Sequence, residues 1–218
     1  MNRRLTLIFA FCQVALVFLL MELGWGDLGF LRLGPVIGVL FAMVLGSFTI
    51  LHTEVDLSRL GDRQEIWGLA ATLLLSLFFF YFLPFADRRA WFVFVPGAEV
   101  RYTGLLLFFI GTGLRTWGFL SRKEKMSVTG LFPLLDEESF VDRSIYLRTR
   151  HPQYLGLLLQ MVGFSLTFRS WLGLVSALVL VVPVVTRVET EERLLKERLG
   201  KKYEDYLKRS WRFFPGLY

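Results

Sequence analysis

Cysteine and histidine are almost missing from this chain: Cys12 stands alone, and His52 and His151 are the only histidines. A lone cysteine closes no internal bridge, and together with two histidines it builds no ordinary metal site, so none is expected. A glycine-rich dinucleotide loop, a phosphate loop and a nucleophile elbow are also lacking, which excludes the common soluble-enzyme frameworks. Basic residues are not interleaved with stacking aromatics on a polar face, so nothing supports nucleic-acid binding. What the chain has in quantity is apolar. Of its 218 residues 54% are hydrophobic, 22 of them Phe, and the mean hydropathy is +0.51. Counted with glycine and without tyrosine, about 60% is apolar, against roughly 45–50% for a soluble domain. One compact core of this size does not need that much. A bilayer does.

A membrane-crossing helix takes about 20 mostly apolar residues. Leu5–Leu23, Leu31–Leu51, Ile66–Ala86 and Val100–Leu120 each qualify. The stretch Tyr154–Val188 is too long for one span and is broken near Arg169-Ser170, which predicts two helices in a tight hairpin. The expected fold is all-α, a polytopic transmembrane bundle of five to six spans with a C-terminal hairpin and a cytoplasmic amphipathic helix. Five applies if the hairpin is re-entrant. Residues 1–99 would hold three spans; residues 100–218 would hold the fourth span, a cytoplasmic linker, the hairpin and the C-terminal helix. No internal repeat stands out.

Charge orients this bundle. With the N-terminus cytoplasmic, nineteen of the 25 Lys and Arg fall in cytoplasmic segments, five fall outside, and Arg115 lies within a span. That bias is the positive-inside pattern, and it places both termini in the cytoplasm of a plasma, inner or endoplasmic reticulum membrane. Arg3-Arg4 precede an apolar run with no small-x-small cleavage site after it, so the first 23 residues read as a retained signal anchor.

Three constellations in the C-terminal half could carry chemistry. Arg150-His151-Pro152-Gln153-Tyr154 precedes an apolar helical run, and proline suits a first helical turn because its missing N–H costs nothing there. The helix would start at the cytoplasmic face, its positive dipole end beside a place for an anion or an adenine ring. A snorkelling arginine and an interfacial histidine account for the same residues. Arg187 and Glu191 are four apart, on one helical face, where the last span leaves the bilayer after Pro183. Charges at that depth are costly unless paired or lining a wet cavity, so they mark either a site or an interfacial ion pair. Leu195, Leu199, Tyr203 and Tyr206 form an apolar stripe interrupted by Gly200, fit to lie on the membrane or to cover a pocket. Arg115, inside the fourth span, either snorkels or neutralises a buried carboxylate such as Glu191.

Taken in order, Tyr146-x3-Arg150-His151-Pro152-x-Tyr154-x-Gly156, Arg187-x3-Glu191-Glu192-x2-Leu195 and Gly200-x2-Tyr203-x2-Tyr206 resemble the isoprenylcysteine carboxyl methyltransferase family, over about residues 108–210. The resemblance implies a membrane-embedded methyltransferase using S-adenosylmethionine in a cytoplasmic pocket enclosed by the C-terminal helices. By that resemblance the cofactor would contact Glu138, Phe140 and Val141, then Tyr146, then Arg150, His151, Pro152, Gln153 and Tyr154, and finally Glu191. Arg187 and Glu191 would be the catalytic pair, Arg187 facing the acceptor. The family usually has Gly where this chain has Ser144, and commonly His where it has Glu138.

The expected partner is a lipid-like or apolar acceptor that reaches the site sideways from the bilayer. A carboxylate such as that of an isoprenylcysteine needs no general base, only a cation to hold it, which suits the planar fork of arginine. An amine or thiol acceptor would need a proton removed, and then Glu191 would serve as base. The rival functions are a phospholipid N-methyltransferase, an NADPH-dependent sterol or enone reductase with a similar His-Pro-x-Tyr tail, and a scaffold without turnover.

Overall fold

A computed structural model describes residues 3–47, 54–55, 70–71, 73–94, 97–122, 125–126, 143–214 and 216. Apart from a two-residue parallel pairing of Glu54–Val55 with Lys125–Met126, its regular elements are helical. Helix α1, Arg3–Trp25, covers the first expected span. Asp27 ends the connection by accepting from Gly29 N at 2.6 Å, and a 3-10 turn, Leu28–Arg32, leads to α2, Gly34–Ser47. Of the third expected span, residues 66–69 and 72 lie outside the described residues. Its later part is a π-helical turn, Leu77–Phe82, running into the short α3, Leu83–Arg88. Leu83 N–H bonds Phe78 O, five residues back, and Pro84, which has no N–H, follows at once. The widened turn accommodates the proline ring within a continuous helix.

Helix α4, Ala98–Arg122, matches the fourth expected span, and α5, Pro152–Thr167, lies antiparallel along it. Their seam is made of glycine. Gly104, Gly111 and Gly118 on α4 recur every seven residues, as do Gly156 and Gly163 on α5. A Cβ on Gly111 would stand 2.6 Å from Gly156 O, one on Gly156 2.5 Å from Gly111 O, and one on Gly163 2.6 Å from Gly104 O. Where lipid offers no hydrophobic drive between helices, such small residues let backbones touch. Gln160 Nε2 adds a hydrogen bond to Thr112 Oγ1 at 2.9 Å across the seam. This glycine period is a short repeat that the sequence expectation did not contain. Gly111→Ala is expected to lower stability by about 1–3 kcal/mol through overpacking against backbone. Gly113→Ala on the same helix, with nothing within 4 Å of its Cβ, is expected to be neutral or slightly stabilising through helix propensity. Equal denaturation midpoints for the two variants would remove the close-approach argument.

The chain turns at Phe168–Ser170, and the expected break near Arg169-Ser170 is where α5 ends and α6, Trp171–Val179, begins. Ser170 caps α6, accepting from Gly173 N at 3.1 Å. Helix α7, Val181–Leu199, follows at once, and Gly200, with φ +52, separates it from α8, Lys201–Leu207. Positive φ is the conformation glycine adopts without penalty, so the interruption of the stripe becomes a corner between two helices. Among the described residues two stretches, Ala98–Ser121 and Trp171–Leu199, are long and apolar enough to cross a membrane; Phe11–Trp25 and Gly34–Gly46 are shorter apolar helices.

The main core gathers residues from α1, α2, the π-helical turn, α3, α4 and α5. Val17, Met21, Phe30, Val36, Phe79, Leu83, Phe108 and Phe164 are all buried there, drawn from both halves of the chain. Phe164 is the hub, its ring 4.8 Å from Phe168, 5.2 Å from Phe80 and 6.2 Å from Phe79. Beside it Asp87, its side chain wholly buried, accepts from Arg101 Nη2 at 2.7 Å and from Arg169 Nη2 at 2.7 Å. Arg101 Nη1 also donates to Thr167 O at 2.6 Å. One carboxylate thus ties α3, the start of α4 and the α5–α6 turn together, at the end of α5 opposite His151.

Candidate active site

Pro152 opens α5, and His151 precedes it as the cap residue without capping the helix by its side chain. The imidazole instead faces α7. Its Nε2 lies 3.2 Å from Glu192 Oε1 and its Nδ1 lies 3.8 Å from Glu191 Oε2, with His151 and Glu191 both buried. Glu191 is one helical turn after Arg187, and Val188 between them is fully buried. Tyr154 reaches the same place from α5: its hydroxyl interacts with both Arg187 and Glu191, and its ring joins Val184 and Val188 in a small apolar cluster. The expected residues His151, Tyr154, Arg187 and Glu191 therefore share one buried environment between the start of α5 and the charged part of α7.

The neighbouring residues divide into those facing this cluster and those holding it up. Gln153 is buried, and its Nε2 has no hydrogen-bond partner among the described residues. Gly118 lies beside it, a Cβ there standing 2.8 Å from Gln153 Cγ and 3.3 Å from Pro152 Cγ. Tyr146 is buried against the same glycine, donating to Gly118 O at 3.3 Å, while its own carbonyl accepts from Tyr206 OH at 2.7 Å. Arg150 donates to Glu192 Oε1 at 2.9 Å and to Ser210 O at 2.7 Å. Arg115 packs its stem at Gly156 and sets its guanidinium over Phe119, 5.8 Å from the ring centre. Glu138, Phe140 and Val141 lie outside the described residues.

Ser144 explains one departure from the family pattern. Its φ is +59, the left-handed region in which glycine is free and serine is strained. Compensation comes from its hydroxyl, which accepts from Trp117 Nε1 at 2.9 Å and lies 3.2 Å from Ser121 Oγ.

Two features escaped the sequence. Glu192 receives Arg150 at 2.9 Å and Arg212 at 2.6 Å besides His151. The second is the segment after α8, which runs back beside residues 148–151: Arg150 N donates to Trp211 O at 2.8 Å, His151 N to Arg212 O at 3.2 Å, and Trp211 N to Arg148 O at 3.0 Å. Thr149 Oγ1 donates to Phe213 O at 3.0 Å, and the Phe213 ring lies 6.3 Å from His151, packed on the Tyr154–Val188 cluster. The Glu191-Glu192 doublet was the available signal for the first; nothing local signals the second.

Chemically, the arrangement offers a buried carboxylate and a guanidinium one turn apart, an imidazole and a phenol against them, and apolar walls. It can hold a cation against Glu191 and an anion against Arg187 with little water present. Residues 100–202 match the phospholipid methyltransferase family. Two rice proteins, from Oryza sativa subsp. indica and subsp. japonica, each described as a probable protein-S-isoprenylcysteine O-methyltransferase, are 28% identical to this chain over 108 residues. That alignment takes in 49% of this chain and 56% of each relative, so the chain spans about half the length of the curated relatives it matches. His151, Tyr154, Arg187 and Glu191 all fall inside the matched residues, and over this stretch the chain is similar to the phospholipid methyltransferase family, in keeping with the isoprenylcysteine-methyltransferase-like group its motifs resemble.

Proposed function

We propose that this chain is an integral membrane methyltransferase, moving a methyl group from S-adenosylmethionine to a lipid-like acceptor at the cytoplasmic face. The observation that carries this is the meeting of His151 and Tyr154 with Arg187 and Glu191 in one buried place at the end of an apolar helix. The five to six spans, the cytoplasmic termini and the split at residue 99 belong to the same proposal; the bias of Lys and Arg supports the orientation.

The residues present fit the donor. Glu191 is a buried carboxylate suited to a cationic partner, and Gln153 brings a buried donor without a partner among the described residues to the same end of α5. Tyr146, Arg150 and Pro152 shape that wall, and Glu138, Phe140 and Val141 are proposed contacts from the resemblance alone. When bound, S-adenosylmethionine supplies an electrophilic methyl group on a positively charged sulfur. Glu191 would balance that charge, and Arg187 would orient the acceptor with its planar donors. Exclusion of water by Tyr154, Val184 and Val188 would favour an in-line approach, in which alignment supplies most of the rate. The name of the rice relatives favours a prenylated carboxylate as acceptor, and the family description favours a phospholipid amine as the second reading.

Ligand-induced stabilisation tests the donor. S-adenosylhomocysteine at about 100 times its Kd is expected to add about 2.7 kcal/mol, a melting shift on the order of 5–10 °C for a chain of this size. NADPH is expected to add nothing, and the reverse result would move the protein to the reductase reading. Labelled methyl groups recovered from a native lipid extract would then identify the acceptor.

A further inference from the structure

We propose that the segment Ser210–Phe213 is a working wall of this site, with Arg212 as a positioning residue and Phe213 as the cover that lifts when a polar ligand exchanges. The proposal rests on the donor reading above. Its starting point is a chain of contacts. Arg212 Nη2 and Nε both donate to Glu192 Oε2, at 2.6 and 3.1 Å, and Glu192 Oε1 in turn meets His151 Nε2 at 3.2 Å. His151 is thereby held with its other nitrogen toward Glu191. Arg212 touches neither Arg187 nor Glu191 through any of these bonds; it acts through Glu192.

Phe213 follows directly, and its ring closes over His151, Tyr154 and Val188. Nothing anchors this cover by a helix of its own. It is held by the backbone pairing with residues 148–151 and by Arg150, which reaches Ser210 O at 2.7 Å and Leu207 O at 3.3 Å. A cavity of about 290 Å³ lies between Arg150 and residues 207–211, leaving space on that side of the segment. The ties are hydrogen bonds and ion pairs at partly exposed groups, with Arg212 15% and Glu192 11% exposed at the side chain. Segments held this way open locally at lower cost than packed helices. The apolar side is different: Phe213 covers a surface that a polar ligand must reach from the cytoplasm.

The full chain in lipid nanodiscs tests this with two readouts, hydrogen exchange in the ligand-free protein and S-adenosylhomocysteine dissociation. Arg212→Ala is expected to speed exchange at the amides of residues 150, 151 and 211 and to weaken S-adenosylhomocysteine about tenfold. Arg212→Lys, which keeps the charge and loses the paired donors, is expected to recover part of both. Phe213→Ala is expected to leave the exchange pattern near that of the wild type and to raise the off-rate about tenfold. Off-rates within about twofold of the wild type in both alanine variants, with the wild type binding normally, overturn the proposal. A wild type that binds no S-adenosylhomocysteine overturns the donor reading and this wall with it, and the two failures are told apart by that measurement.

Discussion

Asp87→Ala is expected to cost about 3–5 kcal/mol, enough to unfold much of the chain at moderate temperature. The mechanism is not the loss of a favourable pair. Asp87 is fully buried, while Arg101 and Arg169 are 12% and 17% exposed at the side chain. Removing the carboxylate leaves two guanidiniums facing each other beside the Phe164 core with no counter-charge. Arg169 also sits at φ +49, a strained geometry that its two bonds to Asp87 hold in place. Asp87→Asn should fall between, since an amide accepts one guanidinium but compensates no charge. The contrast is Arg88→Ala: the Asp27–Arg88 pair at 3.1 Å is about half exposed on both sides, and such pairs contribute roughly 0–1 kcal/mol. Thermal or denaturant unfolding of the detergent-solubilised protein separates the two. Similar losses for Asp87→Ala and Arg88→Ala would mean that the buried triad contributes no more than a surface pair.

The same triad shows what hydropathy leaves unread. The expectation placed Arg101 and Arg169 in segments outside the cytoplasm. It did not connect them to Asp87, because a partner 14 or 82 residues away is a matter of how helices meet rather than of local pattern. Elements whose cause is local were legible: Pro152 begins a helix, Gly200 ends one, and polarity at Arg169-Ser170 marks a turn. The glycine seam was also available, since Gly104, Gly111 and Gly118 repeat every seven residues, but it needed the facing Gly156 and Gly163 to acquire meaning. At the site, the motif spacing gathered His151, Tyr154, Arg187 and Glu191, whereas Arg212 and Phe213 arrive through a return of the chain that no periodicity encodes. Glu192 is intermediate. It stood in the quoted doublet without a role, and its role depends on three side chains from elsewhere.

Arg187→Ala and Glu191→Ala are expected to reduce methyl transfer by at least about 10²–10³-fold, the usual loss when one preorganised electrostatic contact of a reaction is removed. The two should fail differently. Glu191 is buried beside His151 and Tyr154, so Glu191→Gln keeps the shape and removes the charge that would face a cationic donor. Its expected signature is weaker S-adenosylhomocysteine binding together with lost turnover. Arg187→Lys keeps a charge but loses the planar fork, and a carboxylate acceptor depends on that fork for alignment. Its signature is retained S-adenosylhomocysteine binding with a reduced kcat. Because Tyr154 interacts with both residues, either alanine variant also disturbs a buried contact, and turnover must be compared below each variant's melting temperature. The acceptor class follows from pH. A carboxylate is already ionised at neutral pH and leaves Glu191 no proton to remove, so the rate is flat there; an amine acceptor makes Glu191 a base, and the rate then rises with pH as the amine loses its proton. Should Arg187→Ala turn over the true acceptor at the wild-type rate, the cation that orients it lies elsewhere, and Arg115, with its stem at Gly156, is the next residue to replace.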